Sequence, residues 1–321
     1  MGRMLVTGGA GFIGSHLSRR LIGLGHEVWV VDDFSTGRRD NLPPAPRLLE
    51  GDVADPGLLS RLPAVRFDAV LHLAAQSSGE ASHDAPVRDI DSNIKGTLAL
   101  LEWCQRRGIP RFLYASSMAV YGNPRVLPVR EDGLCVPASY YGVTKLAAEH
   151  YVRLFSAAGI RTTVFRMFSV YGPGQNLDNL KQGMVSIYLA YVAGGLPILV
   201  RGSRERFRDF VFIEDMVDAW IAALDAPATF GKIYNLGTGR RTTVAELLET
   251  LLRAWGLDPS DYPIEAGPPT PGDQWGITAD IGAIVADLGW RPRVDLGEGI
   301  ERMVSWVRSR HASQEAECRT D

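Results

Sequence analysis

Cysteine is scarce in this chain, and long apolar runs are absent from it. The three cysteines lie far apart and lack the paired spacing of metal ligands, so we expect a reducing compartment and no metal site. No apolar run is long enough to cross a bilayer, and an apolar strand pattern begins at Met4, so we expect neither a membrane segment nor a signal peptide. Together these absences predict a cytoplasmic protein.

An excess of charge of either sign is also lacking. The 34 lysines and arginines are matched by 37 aspartates and glutamates, which gives a formal net charge of −3, and no basic run is present. The sequence therefore lacks the electrostatic signature of nucleic-acid binding, and we expect no nucleic-acid partner. Lysine occurs only at positions 95, 145, 181 and 232, so a lysine placed beside another titratable side chain is notable.

A glycine-rich turn between two apolar runs is the clearest positive feature. The first run ends at residue 7, a helical pattern follows the glycines, and the second run ends at Asp32. Two triplets fit the spacing of a dinucleotide-binding turn, namely Gly8, Gly11 and Gly14 or Gly9, Gly11 and Gly14. Such glycines let a pyrophosphate approach the backbone at a helix N-terminus. Because Asp32 would accept from ribose hydroxyls and repel a 2′-phosphate, the pattern predicts NAD rather than NADP.

Apolar runs continue to alternate with helical patterns along the chain. Runs at residues 47–53, 68–75, 112–117 and 162–168, with helical patterns at 93–108 and 140–158, predict an α/β fold with a doubly wound parallel sheet, the Rossmann architecture. The 321 residues exceed one simple domain. We expect an NAD-binding Rossmann domain at 1–171, rejoined by segments within about 210–240, and a smaller α/β substrate-binding domain at 172–321. The proline-rich residues 263–276 are expected to be irregular.

A tyrosine and a lysine are placed one helical turn apart in the pattern at 140–158. Tyr141 and Lys145 lie on the same helix face, where an ammonium lowers the pKa of a neighbouring phenol and makes it a usable base. Ser117, at the end of the preceding strand, would bond the same substrate oxygen. A Tyr–Lys pair on a helix can also be mere surface decoration, but its order after the glycine turn and Ser117 favours catalysis. We interpret His72, flanked by apolar residues, as a core residue and not a base.

These motifs together resemble the extended short-chain dehydrogenase/reductase family, in its nucleotide-sugar epimerase/dehydratase group. The resemblance covers nearly the whole chain and is carried by the glycine turn, Asp32, Gly51-Asp52, His72-Leu73-Ala74-Ala75, Asn93, Ser116-Ser117, Tyr141 with Lys145, Tyr171-Gly172-Pro173, Arg208-Asp209-Phe210, Asn235-Leu236-Gly237 and Leu288-Gly289-Trp290. It implies that Tyr141 is the base, that Lys145 holds the phenol and the nicotinamide ribose, and that Ser117 binds the sugar oxygen that is oxidised.

Further contacts follow from the pattern and from the resemblance. We expect a larger set of residues to bind NAD: Gly8, Gly11, Phe12, Ile13, Gly14, Asp32, Asp33, Ser35, Asp52, Val53, Leu73, Ala74, Ala75, Asn93, Ala115, Ser116, Tyr141, Lys145 and Phe168. The substrate, a nucleotide sugar of the UDP type, is expected to contact Gln76, Ser117, Met118, Ser169, Arg208 and Asp273, of which the last two match positions that hold the diphosphate and ribose.

The resemblance implies transient oxidation at C4 of a UDP-hexose or UDP-hexosamine and leaves the net reaction open. Met118-Ala119 stands where 4,6-dehydratases carry an Asp-Glu pair, and Ser169 stands where an asparagine is usual. These departures resemble the branch of UDP-N-acetylglucosamine 5,6-dehydratases known from tunicamycin biosynthesis, which is the narrowest interpretation. The alternative is a UDP-hexose or UDP-hexosamine 4-epimerase. A non-catalytic NAD-binding sensor is the alternative of another class, and it is disfavoured because the Tyr–Lys pair is intact.

The helices at 93–108 and 140–158 match those that pair across a two-fold axis in dimers of this family. The resemblance therefore implies a homodimer, with Leu98, Leu101 and Tyr151 on or near the interface. The same apolar side chains would equally suit the core of a single chain.

Overall fold

A parallel sheet with helices on both faces forms the centre of the fold. The computed structural model describes residues 1–44, 46–270 and 272–318. Its strands, in chain order, are β1 Arg3–Thr7, β2 Glu27–Asp32, β3 Arg47–Glu50, β4 Ala69–His72, β5 Arg111–Ser117, β6 Arg161–Met167, β7 Ser169–Tyr171, β8 Ile198–Arg201, β9 Phe207–Arg208, β10 Phe210–Phe212, β11 Lys232–Leu236, β12 Thr242–Thr243 and β13 Ile264–Gly267.

The helices follow the strands in alternation along the first half of the chain. They are α1 Phe12–Gly23, α2 Gly79–Asp84, α3 Pro86–Asp89, α4 Gly96–Arg107, α5 Tyr140–Ala157, α6 Met184–Ala193, α7 Ile213–Leu224, α8 Val244–Trp255, α9 Gly282–Leu288 and α10 Leu296–Cys318. A π-helical turn, Ile90–Lys95, joins α3 to α4, and short 3₁₀ turns include Met118–Tyr121 after β5. No helix in the described ranges is long and apolar enough to cross a bilayer.

Seven strands of the described residues form the main sheet, in the order β11-β6-β5-β4-β1-β2-β3. Every neighbouring pair in this sheet runs parallel, and Thr7 at the end of β1 is paired with Val31 on one side and His72 on the other. The chain leaves β1 for β2 in one direction and later returns to β4 in the other. This reversal opens a crevice at the carboxyl ends of β1 and β4, where ligands of such sheets bind. The doubly wound α/β prediction is confirmed.

Alternate side chains of the buried strands belong to two different hydrophobic clusters. Met4 and Val6 of β1 pack into one cluster and Leu5 into the other, and in β4 Leu71 and Val70 separate in the same way. Successive side chains of a strand point to opposite faces of a sheet, so each strand serves both helical layers. This explains the near-continuous apolar runs in the sequence.

The second half of the chain adds small sheets beside the main one. Strand β10 pairs with β7, β12 with β9 and β13 with β8. The expectation that residues 263–276 are irregular is wrong for Ile264–Gly267, because these residues pair in parallel with Ile198–Arg201. Their partner lies more than sixty positions away, so no local pattern shows the pairing. Strand β11 joins the main sheet next to β6, and α7 packs on α1. The domain boundary proposed between residues 171 and 172 remains a prediction.

Helix α5 presents two different faces. Tyr141 and Lys145 face the end of strand β5, whereas Val143 and Leu154, about three turns apart, are exposed on another side at 53% and 61%. Leu101, predicted near an interface, is instead fully buried in the core, and the half-buried Tyr151 packs against the same cluster. The homodimer therefore remains a prediction, and it rests on the exposed Val143 and Leu154 of α5.

Replacing Leu154 with Glu tests that prediction. If the exposed face of α5 packs against a second copy, Leu154→Glu places an unpaired charge in an apolar contact and should convert a dimer into a monomer in light scattering at micromolar concentration. The matched control is Leu24→Glu, at another exposed apolar site, which should leave the mass unchanged. A wild-type protein that is already monomeric under these conditions would contradict the homodimer.

Candidate active site

The glycine turn is built so closely that side chains cannot be added to it. Gly8 has a φ of +70°, and a Cβ on Gly8 would lie 2.7 Å from the nitrogen of Ala74. A Cβ on Gly14 would lie 2.1 Å from the Gly8 carbonyl oxygen. Gly11 donates to the same carbonyl oxygen and precedes α1 without a side-chain cap. The triplet Gly8, Gly11 and Gly14 thus meets the backbone requirements, and the N–H groups at the start of α1 point toward the crevice.

Asp32 braces this turn from the neighbouring strand. One carboxylate oxygen accepts from the Ala10 N–H at 2.8 Å and the other from the Phe34 N–H at 2.8 Å. Burial raises the pKa of Asp32, and the backbone hydrogen bonds oppose that rise. The backbone N–H groups of Ala10, Phe34 and Gly11 fill at most three of the four lone-pair sites of the carboxylate, so it can still accept from a hydroxyl group. The position and chemistry of Asp32 fit a ribose.

The other predicted cofactor residues lie around the same crevice with distinct local roles. Asp33 accepts from the N–H and hydroxyl of Ser35, and Asp52 accepts from the Ala54 N–H, so both close local turns. The remaining ones are partly or fully buried, in the first turn of α1, after β3, after β4, on the π-helical turn, at the end of β5 and after β6: Phe12, Ile13, Val53, Leu73, Ala74, Ala75, Asn93, Ala115, Ser116 and Phe168. The Asn93 side-chain oxygen is buried without a partner among the described residues.

His72 is satisfied within the core, as the sequence indicated. Its Nδ1 lies 2.7 Å from the Thr7 hydroxyl and its Nε2 lies 2.9 Å from the Thr97 hydroxyl. The Thr97 hydroxyl donates to the Asn93 carbonyl, so it accepts from Nε2–H, which fixes the neutral tautomer. Burial lowers the pKa of His72 to about 3, with Lys145 as a smaller cause in the same direction. A ring held neutral in this way is not a base for the site.

The proposed catalytic pair sits where the first turns of α5 meet the end of β5. A Cβ on Gly142 would lie 2.5 Å from the Ala119 carbonyl oxygen, so the glycine after Tyr141 lets the helix approach the 3₁₀ turn. Lys145 is 3% exposed, and its ammonium donates to the Ala115 carbonyl at 2.8 Å. Its nitrogen lies 6.0 Å from the centroid of the Tyr141 ring.

The electrostatics of this pair differ from the expectation in one respect. Burial raises the pKa of Tyr141 to about 12; a hydrogen bond with Ser117 lowers it and the charge of Asp89 raises it. The lowering expected from Lys145 does not offset this effect of burial. Burial also lowers the pKa of Lys145 to about 7, against the opposing charges of Glu149 and Asp89. In the protein alone the phenol is therefore protonated at neutral pH, and the ammonium is only partly so.

A buried ion pair behind Lys145 was missed by sequence reasoning. Glu149 lies one turn beyond Lys145, and its carboxylate receives the Arg166 guanidinium at 2.7 Å and 3.0 Å and the Ser116 hydroxyl. Arg166 also donates to the Tyr121 hydroxyl at 2.9 Å. The spacing of Tyr141, Lys145 and Glu149, each four residues after the last, was the available signal, because such residues share one helix face.

The predicted substrate residues fall into two groups. Ser117 bonds the Tyr141 phenol at the end of β5, Met118 opens the 3₁₀ turn that follows, and Ser169 begins β7. Gln76 follows β4, and its side chain folds back on its own loop, accepting from the Ser78 N–H at 2.6 Å. The second group is Arg208 and Asp273, which lie in the second half of the chain and contact each other at 2.5 Å.

Arg206, which the sequence did not single out, binds the other oxygen of Asp273. Burial lowers the pKa of Arg208 to about 10, and the neighbouring Arg206 lowers it further. Two buried guanidinium groups therefore share one carboxylate, and the cluster carries net positive charge.

Gly14→Ala tests the glycine turn. The added Cβ cannot be accommodated beside the Gly8 carbonyl without moving the backbone, and strain of about 1–3 kcal/mol should weaken NAD binding roughly 10- to 100-fold. Titration calorimetry with NAD measures the change. Gly23→Ala, in the same helix with nothing within 4 Å of its Cβ, should bind NAD normally. Equal affinity in both variants would contradict the role of the turn.

Lys145 gives a prediction about stability and pH. Its pKa is lowered on folding from 10.5 to about 7, so between these values the unfolded chain binds more protons and stability rises with pH. Lys145→Met lacks this titrating group. The difference in unfolding free energy between variant and wild type, from urea denaturation without cofactor, should shift in favour of the wild type from pH 7 to pH 10. A difference that stays constant over this range would show that Lys145 does not titrate there.

Comparison with known proteins agrees with this geometry. A model of the NAD dependent epimerase/dehydratase family matches residues 4–237. The chain is 34% identical over 311 residues to a putative UDP-glucose 4-epimerase of Methanocaldococcus jannaschii, covering 95% of this chain and 98% of that protein. It resembles a crystal structure of Thermotoga maritima UDP-glucose 4-epimerase with UDP-glucose, with a TM-score of 0.92, 35% identity and coverage of 96% and 99%. A Thermus thermophilus UDP-glucose 4-epimerase structure with NAD has a TM-score of 0.87, 34% identity and coverage of 95% and 99%.

Proposed function

Since this chain belongs to the NAD-dependent epimerase/dehydratase family, with NAD as the cofactor that the glycine turn predicted, we propose that it is a UDP-hexose 4-epimerase. The observation that carries the proposal is the arrangement of Ser117, Tyr141 and Lys145 at the end of β5, two strands from the glycine turn at the end of β1 in the same sheet. The named relatives support epimerisation more than the narrower 5,6-dehydratase hypothesis.

The residues of the crevice fit the cofactor. The turn at Gly8 and Gly14 leaves the space that a Cβ would fill, and Asp32 keeps acceptor capacity beside it. When bound, NAD supplies reversible oxidation and reduction at a carbon that bears a hydroxyl group. Lys145, buried at the end of β5, would hold the nicotinamide ribose from the side of the phenol.

The chain's own residues would move one proton in each direction. Tyr141, as phenolate, takes the proton of the C4 hydroxyl and later returns it to the same oxygen. Ser117, which bonds the phenol, holds that oxygen in place. Lys145 stabilises the phenolate by its positive charge. Because the same oxygen loses and regains this proton, inversion at C4 requires no further acid or base, which is consistent with the neutral Met118 and Ala119 after Ser117.

We also propose that the paired arginines hold the nucleotide. Arg208 and Arg206 are buried and positively charged, and both contact Asp273, so a diphosphate would find two guanidinium groups already in position. Asp273 would then be free to accept from a ribose hydroxyl. UDP-linked sugars are thus the proposed substrates.

Incubation with UDP-glucose, UDP-galactose and UDP-N-acetylglucosamine tests the function. We expect interconversion at C4 without change of mass, and no steady accumulation of NADH, because the proposed reaction is redox-neutral. Nuclear magnetic resonance identifies the stereochemistry and mass spectrometry the mass. Loss of one water would instead identify a dehydratase, and net production of NADH would identify a dehydrogenase. Binding of NAD without any turnover would favour a sensor.

Tyr141→Phe is the sharpest test of the proposed base. It deletes one hydroxyl group, so the fold and NAD binding should persist while kcat falls by about 10²–10⁴. Tyr140→Phe removes the neighbouring hydroxyl, on a ring that is 51% exposed and stacks on His83, and should retain activity. Activity in Tyr141→Phe within a few-fold of the wild type would refute the assignment.

A further inference from the structure

Asp89 is a buried carboxylate without an ionic partner. It ends helix α3 with 0% exposure, and it forms no salt bridge with any group in the described parts of the chain. One oxygen accepts from the Gln76 side-chain amide at 2.7 Å, and the other accepts from the Ser82 hydroxyl. Both donors are neutral. A buried carboxylate held by neutral donors is costly, and its field is not cancelled locally.

A short series of hydrogen bonds joins Asp89 to the first turn of α5. The Gln76 carbonyl accepts from the Asn93 side-chain amide at 3.1 Å, and the same amide group lies 3.0 Å from the Thr144 hydroxyl. Thr144 in turn donates to the Tyr141 carbonyl at 3.0 Å. Helix α3 and the π-helical turn also pack directly on α5. Asp89 therefore belongs to the polar cluster that supports the catalytic pair.

The charge of Asp89 acts on both members of that pair. It raises the pKa of the Tyr141 phenol and opposes the lowering of the Lys145 pKa by burial. The other groups that face the pair come from β4, from β5 and from α5 itself: His72, Tyr114, Ser117 and Glu149. His72 is neutral and Glu149 is paired with Arg166, whereas Asp89 forms no salt bridge in the described residues and its charge remains to act on the pair.

We propose that Asp89 is a positioning residue whose buried carboxylate is the counter-charge of the Tyr141–Lys145 pair and sets the pH range in which the pair exchanges protons. The proposal rests on the proposed function, because it needs this pair to be catalytic. Removal of the negative charge favours the phenolate and disfavours the ammonium. Both groups then lose their protons at lower pH, and the whole activity profile moves in that direction.

Asp89→Asn isolates the charge from the hydrogen bonds. The asparagine oxygen still accepts from Gln76, and its amide donates to the Ser82 hydroxyl, which can accept as well as donate. Ser82→Ala makes the complementary change, since it removes one hydrogen bond and keeps the carboxylate. Asp91→Asn is the matched control two residues away, where the carboxylate is 42% exposed and pairs with Lys95 at 2.5 Å.

The experiment measures kcat against pH for 4-epimerisation with UDP-galactose in the wild type and the three variants. Both limbs of the profile should move to lower pH by roughly half a unit to one unit in Asp89→Asn. Ser82→Ala and Asp91→Asn should keep the wild-type limbs, whatever their effect on the maximum rate. A lower rate in Asp89→Asn with unmoved limbs would mean that Asp89 serves structure alone and would overturn the proposal.

A second measurement separates this proposal from the proposed function. Phenolate absorbance of the NAD-bound protein is titrated with and without Tyr141→Phe, and the difference gives the Tyr141 pKa without any substrate. It should fall in Asp89→Asn by the same amount as the acidic limb, even if UDP-hexoses prove not to be substrates. An unchanged Tyr141 pKa overturns the proposal independently. If Asp89→Asn does not fold by circular dichroism, Asp89→Ser is the charge-free variant, judged by the same two readouts.

Discussion

The burial of the Lys145 ammonium is the constraint on which the candidate site depends. The ammonium is removed from water at the end of β5, where it donates a hydrogen bond to the Ala115 carbonyl. Burial alone would neutralise it, so the carboxylates of Glu149 and Asp89 are needed to retain its proton. The fold makes this burial possible because Gly142 lets α5 meet the turn after β5 at a distance that a side chain would prevent.

Much of the fold could be predicted because its signals are local. Strands buried on both faces give apolar runs that periodicity detects, and Gly108, with a φ of +63°, ends α4 where the sequence predicted a stop. Strand β13 was missed because four residues with exposed positions form a strand only against a partner far along the chain. The π-helical turn Ile90–Lys95 was also missed, since six residues inside a longer helical pattern are too few to show a change of period.

In the candidate site, too, the local features could be predicted and the distant contacts could not. The glycine turn and the Tyr141–Lys145 spacing lie within one or two helical turns, so their geometry follows from the sequence. The groups that set the charges were not predicted, because Arg166 reaches Glu149 from β6, and Asp273 meets Arg206 and Arg208 across a distant segment. The prediction that the pKa of Tyr141 is lowered was wrong for a related reason, because the depth at which a phenol is buried is a property of the whole fold.

The charges around Tyr141 determine when its phenol can lose a proton. Lys145 and Arg166 are balanced by Glu149 and Asp89, and within this balance burial keeps the Tyr141 phenol protonated, with a pKa of about 12. The protein alone therefore does not produce the base. A further positive charge placed beside the phenol would break the balance in favour of the phenolate. An oxidised nicotinamide carries such a charge, so the base would form where and when the carbon can be oxidised, and proton removal is thereby tied to the redox step by electrostatics alone.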